Sequence, residues 1–319
     1  MSDLSSATHT PVDDSTPDGP THPYDTSPVS ATLPSAGLTL VATPIGNLGD
    51  MSIRAIETLK AVDLILCEDT RVTAKLLKAY NVSTPTQILH DHNEEDRIPS
   101  LLGRLRNGAR MALVSDAGTP LVSDPGYRLV RAAVADGLPV GAIPGANAAT
   151  LALTLSGLPP HPYVFNGFPA PRSAARRSQL SVLRAAEQAG FSATMIWYEA
   201  PHRLLDMIED LIAVFGSERD AAVARELTKR FEEVRRGTLD ALRTHFRETA
   251  PRGEITVLLA PPGEGEAKPG EDLDTRLRTA LASHSVKDAA ALVATAVSLP
   301  RRVVYARALE LARETTPGS

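Results

Sequence analysis

Three short loops in this chain carry residue types suited to holding a small molecule. They are Thr43-Pro44-Ile45-Gly46-Asn47-Leu48-Gly49-Asp50, Ser115-Asp116-Ala117-Gly118-Thr119-Pro120 and Pro144-Gly145-Ala146-Asn147-Ala148-Ala149. Small residues let backbone N–H and C=O groups approach a ligand closely. Asp124-Pro125-Gly126 stands just behind the second loop. None of the three is the G-x-G-x-x-G dinucleotide fingerprint, and no G-x-x-x-x-G-K-[ST] phosphate loop occurs. Each loop alone also reads as an ordinary turn; together they point to a cleft. A metal site is not expected, because the eight histidines show no H-x-x-x-H or Cys/His ligand spacing. His90-Asp91-His92 comes nearest, and with Asn93, Glu94 and Glu95 it reads as a solvent loop. Cys67, the single cysteine, follows an apolar run and reads as a buried, inert thiol.

Such loops need strands to carry them. Apolar runs at 38–42, 64–67, 87–89, 111–114 and 140–143 read as strands, with helical patterns near 52–61, 72–80, 97–107 and 126–136. That alternation predicts a largely parallel α/β sheet, and ligands of such sheets sit beyond the carboxyl ends of the strands. A second unit follows the helix-like stretch 148–156. Its strands are expected at 194–198, 221–224 and 255–259, and its helices near 176–188, 202–215 and 240–249. A Pro/Gly linker over 261–270 leads to helical patterns at 272–283, 286–297 and 302–312, with Ser285 as an N-cap and Leu299-Pro300 as a break. The domain reading is therefore a disordered tail over 1–37, α/β domains over 38–147 and 148–263, and a helix-turn-helix-like appendage over 271–319.

The tail is rich in Ser, Thr, Pro and Asp and cannot bury enough apolar surface to offset its ordering entropy. It holds five acids and no Lys or Arg, and without it the 319-residue chain has 33 acids against 33 bases. A net charge of −5 thus conceals a neutral body compatible with local basic patches, which RNA binding requires. One cysteine permits no disulfide framework, no apolar run reaches ~20 residues, and no secretory signal opens the chain, so a cytoplasmic protein is expected.

The run Val41 to Asp50 resembles the opening of the ribosomal RNA small subunit methyltransferase I family. So do Cys67-Glu68-Asp69-Thr70-Arg71, Ser115 to Pro120, Ser156-Gly157-Leu158-Pro159, Tyr198-Glu199-Ala200-Pro201-His202-Arg203, Ala224-Arg225-Glu226-Leu227-Thr228-Lys229 and Gly253-Glu254. The resemblance covers about 38–263, and the appendage more weakly. It implies two α/β domains of the class III, tetrapyrrole-methylase type with S-adenosylmethionine held between them, and a homodimer. The implied reaction is 2′-O-methylation of a cytidine in the decoding region of 16S ribosomal RNA, in the small subunit. The implied cofactor residues are Pro44, Gly46, Asp116, Gly118, Thr119, Gly145, Ala146 and Asn147, with Tyr198 and Thr256 from the second domain. The chain departs from the family in placing Arg172, rather than Lys, after Gly167-Phe168-Pro169-Ala170-Pro171. An Arg fork binds phosphate oxygens as well or better.

A ribose hydroxyl is a poor nucleophile and gains from a nearby base. Glu68, Asp69, Glu199, Glu226 and Lys229 are candidates. The preferred arrangement puts Glu226 and Lys229 at the hydroxyl, with Glu68 and Arg71 organising the wall. Lys229 would need a lowered pKa, and Glu226 and Lys229, three apart, equally make a surface ion pair. For RNA, Arg172, Arg176, Arg177 and Arg184 lie in an acid-free stretch, and His202 and Arg203 can add to it; a solvated helix face fits that stretch too. Arg301 to Arg307 can likewise meet phosphates, or form a helical lid. Two other functions remain open: class III methylation of a tetrapyrrole, and a non-catalytic RNA-binding or ribosome-associated protein.

Overall fold

The computed structural model describes residues 36–263, 270–297 and 301–314. The expected tail, through residue 35, and the expected break at Leu299-Pro300 lie outside the described residues, as does most of the linker. Five strands form the first sheet: β1 (Gly37–Val41), β2 (Leu64–Cys67), β3 (Thr86–Ile88), β4 (Arg110–Val114) and β5 (Val140–Ile143). All pairings are parallel, in the order β3-β2-β4-β1-β5. Strand β1 therefore lies between β4 and β5, which puts the three small-residue loops side by side at one sheet edge.

The sheet is covered on both faces, so its strands read as continuous apolar runs. In β2, Ile65 and Cys67 pack with Ala55 and Leu59 of α1 (Ile53–Ala61) and Leu77 of α2 (Thr70–Ala79). Leu64 and Leu66 face the other way, onto Leu101 and Leu105 of α3 (Glu94–Arg106) and Leu129 of α4 (Tyr127–Ala135). Helix α1 starts at Ser52, whose side chain accepts from the Ala55 amide. The start of α4 has Gly126 at the cap position and no side-chain cap of its own. Glu94 caps it instead: 2% exposed, it accepts the Leu129 N–H at 2.8 Å. The solvent-loop reading of 90–95 is corrected accordingly, since Glu94 is core structure and α3 begins there.

After α5 (Ala148–Ser156) comes a second five-stranded sheet, ordered β6-β7-β10-β8-β9. Its strands are β6 (Tyr163–Phe165), β7 (Thr194–Glu199), β8 (Asp220–Arg225), β9 (Glu233–Thr238) and β10 (Ile255–Leu259). Only β6–β7 is parallel; β7–β10, β10–β8 and β8–β9 are antiparallel. Helices α6 (Ser173–Gln188), α7 (Leu204–Phe215) and α8 (Leu239–Glu248) cover one face. Helix α5 covers the other, with Ala149, Ala152 and Leu153 against Ile196, Ala222 and Leu258. Because Ile45 and Leu227 join that cluster, the loop after β1 is anchored on the second sheet.

Helices α9 (Gly270–Leu281), α10 (Val286–Val297) and α11 (Arg301–Glu314) pack together through Leu277, Ala290, Val304 and Ala308. Ser285 caps α10 by accepting the Asp288 N–H and donating to its carboxylate, as its sequence position predicts. Among the described residues, no helix is long and apolar enough to cross a membrane.

A buried charge cluster joins α6 to α7. Arg176 and Asp210, each 2% exposed, pair at 2.7 Å, and Ser173 and Arg177 add hydrogen bonds to the same carboxylate. Removing one partner of a buried pair costs ~3–5 kcal/mol. Asp210→Ala, which strands Arg176, is therefore expected to lose that much in urea unfolding. An unchanged midpoint would show that the cluster contributes nothing.

Candidate active site

The loop after β1 is fixed by its neighbour after β4. Thr43 and Gly118 exchange both backbone hydrogen bonds, at 2.9 and 3.0 Å. The Thr43 hydroxyl donates to the Ser115 carbonyl, and the Ser115 hydroxyl donates to that of Gly118. Gly118 has φ +85°, a conformation open to glycine at little cost. The loop after β5 joins through the Thr119 hydroxyl, which donates to the Ala146 carbonyl at 3.0 Å. Asn147 then caps α5 by accepting the Thr150 N–H. The next free amide of that helix, Ala149, donates to the hydroxyl of Tyr198, which stands on the second sheet.

A cavity of about 380 Å³ opens between the two sheets. Asp116, Gly118 and Thr119 line it from the first domain, and Tyr198 and Thr256, paired across β7 and β10, from the second. The other expected cofactor positions lie elsewhere. Gly145, Ala146 and Asn147 face a separate, more open hollow with Asp50 and Thr228, while Pro44 lines neither. Gly46 sits where the domains touch: a Cβ there would stand 2.4 Å from Lys229 Cγ.

Among the described residues, the charged lining of the cavity is Asp116, Asp124, Glu199 and Glu254, with no Lys, Arg or His. Buried Glu199 gives one oxygen to Arg203 and the Ala200 amide, and its other oxygen has no partner. Burial raises the Asp116 carboxyl above its ordinary value, although the Asp69 amide bonds to it. Asp124 is pushed up to about 7, chiefly by burial and then by the charges of Glu68 and Asp116. Leu121 and Ser123, just before it, both have φ 71°; such non-glycine conformations cost ~1–3 kcal/mol each and persist where the surroundings enforce them. The sequence reading quoted Asp124 but gave it no role. Its signal was the Asp-Pro-Gly turn directly behind a ligand-type loop.

Other expected residues fall differently. Arg71 turns to Asp69. Its side chain is 87% exposed and bonds Asp69 at 2.7 Å, holding that carboxyl down to about 2. Glu68 follows β2 with its surface exposed, yet partial desolvation and the neighbouring acids raise its pKa. Lys229 donates to Glu226 at 2.9 Å and to Glu254 at 3.0 Å. Burial pulls the ammonium down, but the two carboxylates outweigh it and lift its pKa above 10.5. In this arrangement Lys229 is held as a cation between the two carboxylates. Glu226 accepts from Lys229 and from the Glu254 amide, and its pKa is lowered.

Of the expected RNA contacts, Arg176 is corrected: it is buried in the Asp210 cluster and offers nothing to a phosphate. Arg177 shares Asp210, Arg184 bonds Glu187 and Arg203 bonds Glu199. Arg172 and His202 are exposed. Arg230 lies over the ring of Phe231, which is 66% exposed.

Residues 37–243 match the model of the Tetrapyrrole (Corrin/Porphyrin) Methylases, and residues 267–312 that of the RsmI C-terminal HTH domain. The chain is 44% identical over 275 residues to the ribosomal RNA small subunit methyltransferase I of Mesorhizobium japonicum, covering 86% of this chain and 92% of that one. It is 45% identical over 277 residues to the protein of that name from Synechocystis, covering 86% and 98%. Among solved structures it resembles diphthine synthase in fold, with a TM-score of 0.54 and 18% identity over 70% of this chain and 89% of that one.

The Glu226–Lys229–Glu254 cluster depends on Gly253. A Cβ there would fall 2.1 Å from Glu226 Oε1, and φ is +83°. Gly253→Ala is expected to cost ~1–3 kcal/mol by such crowding and to release Lys229. Thermal unfolding and the Lys229 side-chain NMR signal would report both. A variant of wild-type stability with Lys229 still paired would remove the argument.

Proposed function

The chain belongs to the ribosomal RNA small subunit methyltransferase I family, and from this we infer that its interdomain cavity transfers methyl from S-adenosylmethionine to the ribose 2′-oxygen of a cytidine in the decoding region of 16S ribosomal RNA. The observation that carries the cofactor reading is the charge of the cavity. A space lined by four acids and no base suits a ligand bearing a sulfonium and an ammonium, and it repels phosphate. The unpartnered oxygen of buried Glu199 leaves an acceptor for such a ligand, because buried acceptors without partners are costly. The residues present therefore fit the group.

Asp116, the backbone of Gly118 and Thr119, Tyr198 and Thr256 would hold the cofactor, with Ile45 and Leu227 as apolar walls. When bound, it supplies an electrophilic methyl group. The protein's share is position: transfer is an in-line displacement, and aligning the reacting atoms can remove several kcal/mol of the barrier. The anionic RNA backbone stays outside the acidic cavity, near exposed Arg172 and His202, while only a neutral ribose edge enters. Phe231 with Arg230 over it offers a nearby stacking surface for an unpaired base.

The 44–45% identical relatives favour RNA over a tetrapyrrole as acceptor and a catalyst over a passive binder. We also propose a homodimer acting in the cytoplasm. The free edge at β5, where Gly141 and Ala142 are exposed, with Tyr127 and Val134 of α4 63% and 62% exposed, supports a second copy packing there.

Labelled S-adenosylmethionine with unmodified small ribosomal subunits is expected to put label on a cytidine 2′-oxygen, read by nuclease digestion and nucleoside analysis. The cofactor alone, at 100 times its Kd, is expected to stabilise the protein by ~2.7 kcal/mol. Stabilisation without transfer to RNA would mean a different acceptor.

A further inference from the structure

The β8–β9 loop, residues 226–232, is fastened on one side and bare on the other. Leu227 is 6% exposed, packs with Ile45 and Ala149, and also lines the interdomain cavity. Thr228 lines the neighbouring hollow. The Lys229 ammonium is held by Glu226 and Glu254. Backbone ties complete the anchorage: the Glu226 amide donates to the Glu254 carbonyl, and the Thr228 amide to the Glu232 carboxylate at 2.6 Å. Within this turn Glu226 and Thr228 have φ 50° and 66°. Non-glycine residues stay there where their surroundings enforce it, and such sites cluster at ligand clamps.

The bare side carries Arg230 and Phe231. The phenyl ring is 66% exposed, and the Arg230 guanidinium carbon sits 5.6 Å from its centroid. Among the described residues no carboxylate pairs with Arg230, whereas nearby Arg225 is taken by Glu233 and Lys229 by its two acids. A lone exposed apolar side chain is ordinary. Phe231 differs because it stands four residues from a cavity-wall residue, its loop is already rigid, and a cation covers one face of its ring.

We propose, resting on the RNA reading above, that Phe231 is the platform on which an unpaired base next to the methylated nucleoside stacks. Every base has a π face that a phenyl ring accepts, and a guanidinium plane extends such a stack. Arg230 is also free to meet the adjoining phosphate, which the acidic cavity repels. One ring and one cation make too small a patch for a protein partner, whose stable interfaces bury roughly 800 Å² per side. The loop is set before the strand arrives, so little ordering cost opposes the contact. A base inside a duplex has both faces covered by its neighbours. The platform therefore selects RNA whose flank is single-stranded, and Phe231 is a specificity-determining residue that leaves the transfer step itself alone.

The test uses the full chain and unmodified small ribosomal subunits. Phe231→Ala changes an exposed position and is expected to unfold at the wild-type temperature. It should bind S-adenosylhomocysteine like the wild type in calorimetry and keep its kcat. Its KM for the subunits is expected to rise ~10-fold, the scale of one lost base–aromatic stack. Phe231→Trp should restore KM, and Phe231→Leu, apolar but without a π face, should not. The Phe231→Trp variant also gives a readout independent of transfer. Its added indole fluorescence, beyond that of Trp197, the sole native tryptophan, should be quenched by a short single-stranded oligocytidylate and not by the same strand paired to its complement. Wild-type KM in Phe231→Ala, or equal rescue by leucine and tryptophan, would overturn the proposal and leave the function standing. So would a loss confined to kcat or to S-adenosylhomocysteine binding, or equal quenching by single strand and duplex. Wild-type protein that moves no methyl to the subunits overturns the functional reading. Quenching then decides the platform alone: by the single strand only, an unpaired-base site at Phe231 stands; with none, it falls.

Discussion

Thr43 and Gly118 exchange two backbone hydrogen bonds beyond the last rung of the β1–β4 ladder. A loop leaving a buried parallel sheet must satisfy its N–H and C=O groups somewhere. Here the loops after β1 and β4 satisfy each other, and the Thr43, Ser115 and Thr119 hydroxyls take up further carbonyls. Those carbonyls and amides then cannot wander, so the cavity wall is set before any ligand arrives. The same restraint aims Ile45 at the second sheet and leaves Gly46 against Lys229. Interdomain packing and the shape of the cavity thus follow from one backbone pairing.

Charge is partitioned around that frame. Acids line the cavity, while cations near it are committed: Lys229 between Glu226 and Glu254, Arg203 on Glu199, Arg71 on Asp69. These pairs are not equivalent in energy. The exposed Arg71–Asp69 pair contributes little, as surface pairs do, whereas the half-buried Lys229 cluster fixes the β8–β9 loop against Gly253 and the loop after β1. A formally neutral body therefore separates into an acidic interior and a mixed exterior. Net charge alone hides that separation, which is what lets a cationic cofactor and an anionic substrate approach one site.

The first domain was legible because each strand is buried on both faces and bounded by turn residues; Leu64 to Cys67 is the clearest case. The second domain was legible only where its strands are central. Strand β9, Glu-Val-Arg-Arg-Gly-Thr, is an edge strand with partly exposed faces, so no apolar alternation marks it, and β6 has just three residues. Among side chains, the three loops were found by composition, but their division between two hollows was not. Spacing cannot tell a solvated arginine from Arg176, whose partner Asp210 lies 34 positions away on another helix. Nor can it give the sign of a pKa shift: Lys229 shifts upward because Glu226 and, from far away in sequence, Glu254 both close on it.

Asp116 and Asp124 show why position outweighs residue type. Both are half-buried aspartates on one cavity wall, eight residues apart. Asp116 is partly compensated by a backbone amide, which favours its charged form. Asp124 has no amide bond of that kind among the described residues and feels the charge of Asp116 itself. Two like carboxylates in a poorly solvated space cannot both ionise freely, so the less compensated one holds its proton at higher pH. Their environments thus differ although their residue type does not. The asymmetry comes first from the stronger desolvation of Asp124 and the charge of Glu68, and then from the backbone hydrogen bond that Asp116 accepts from Asp69.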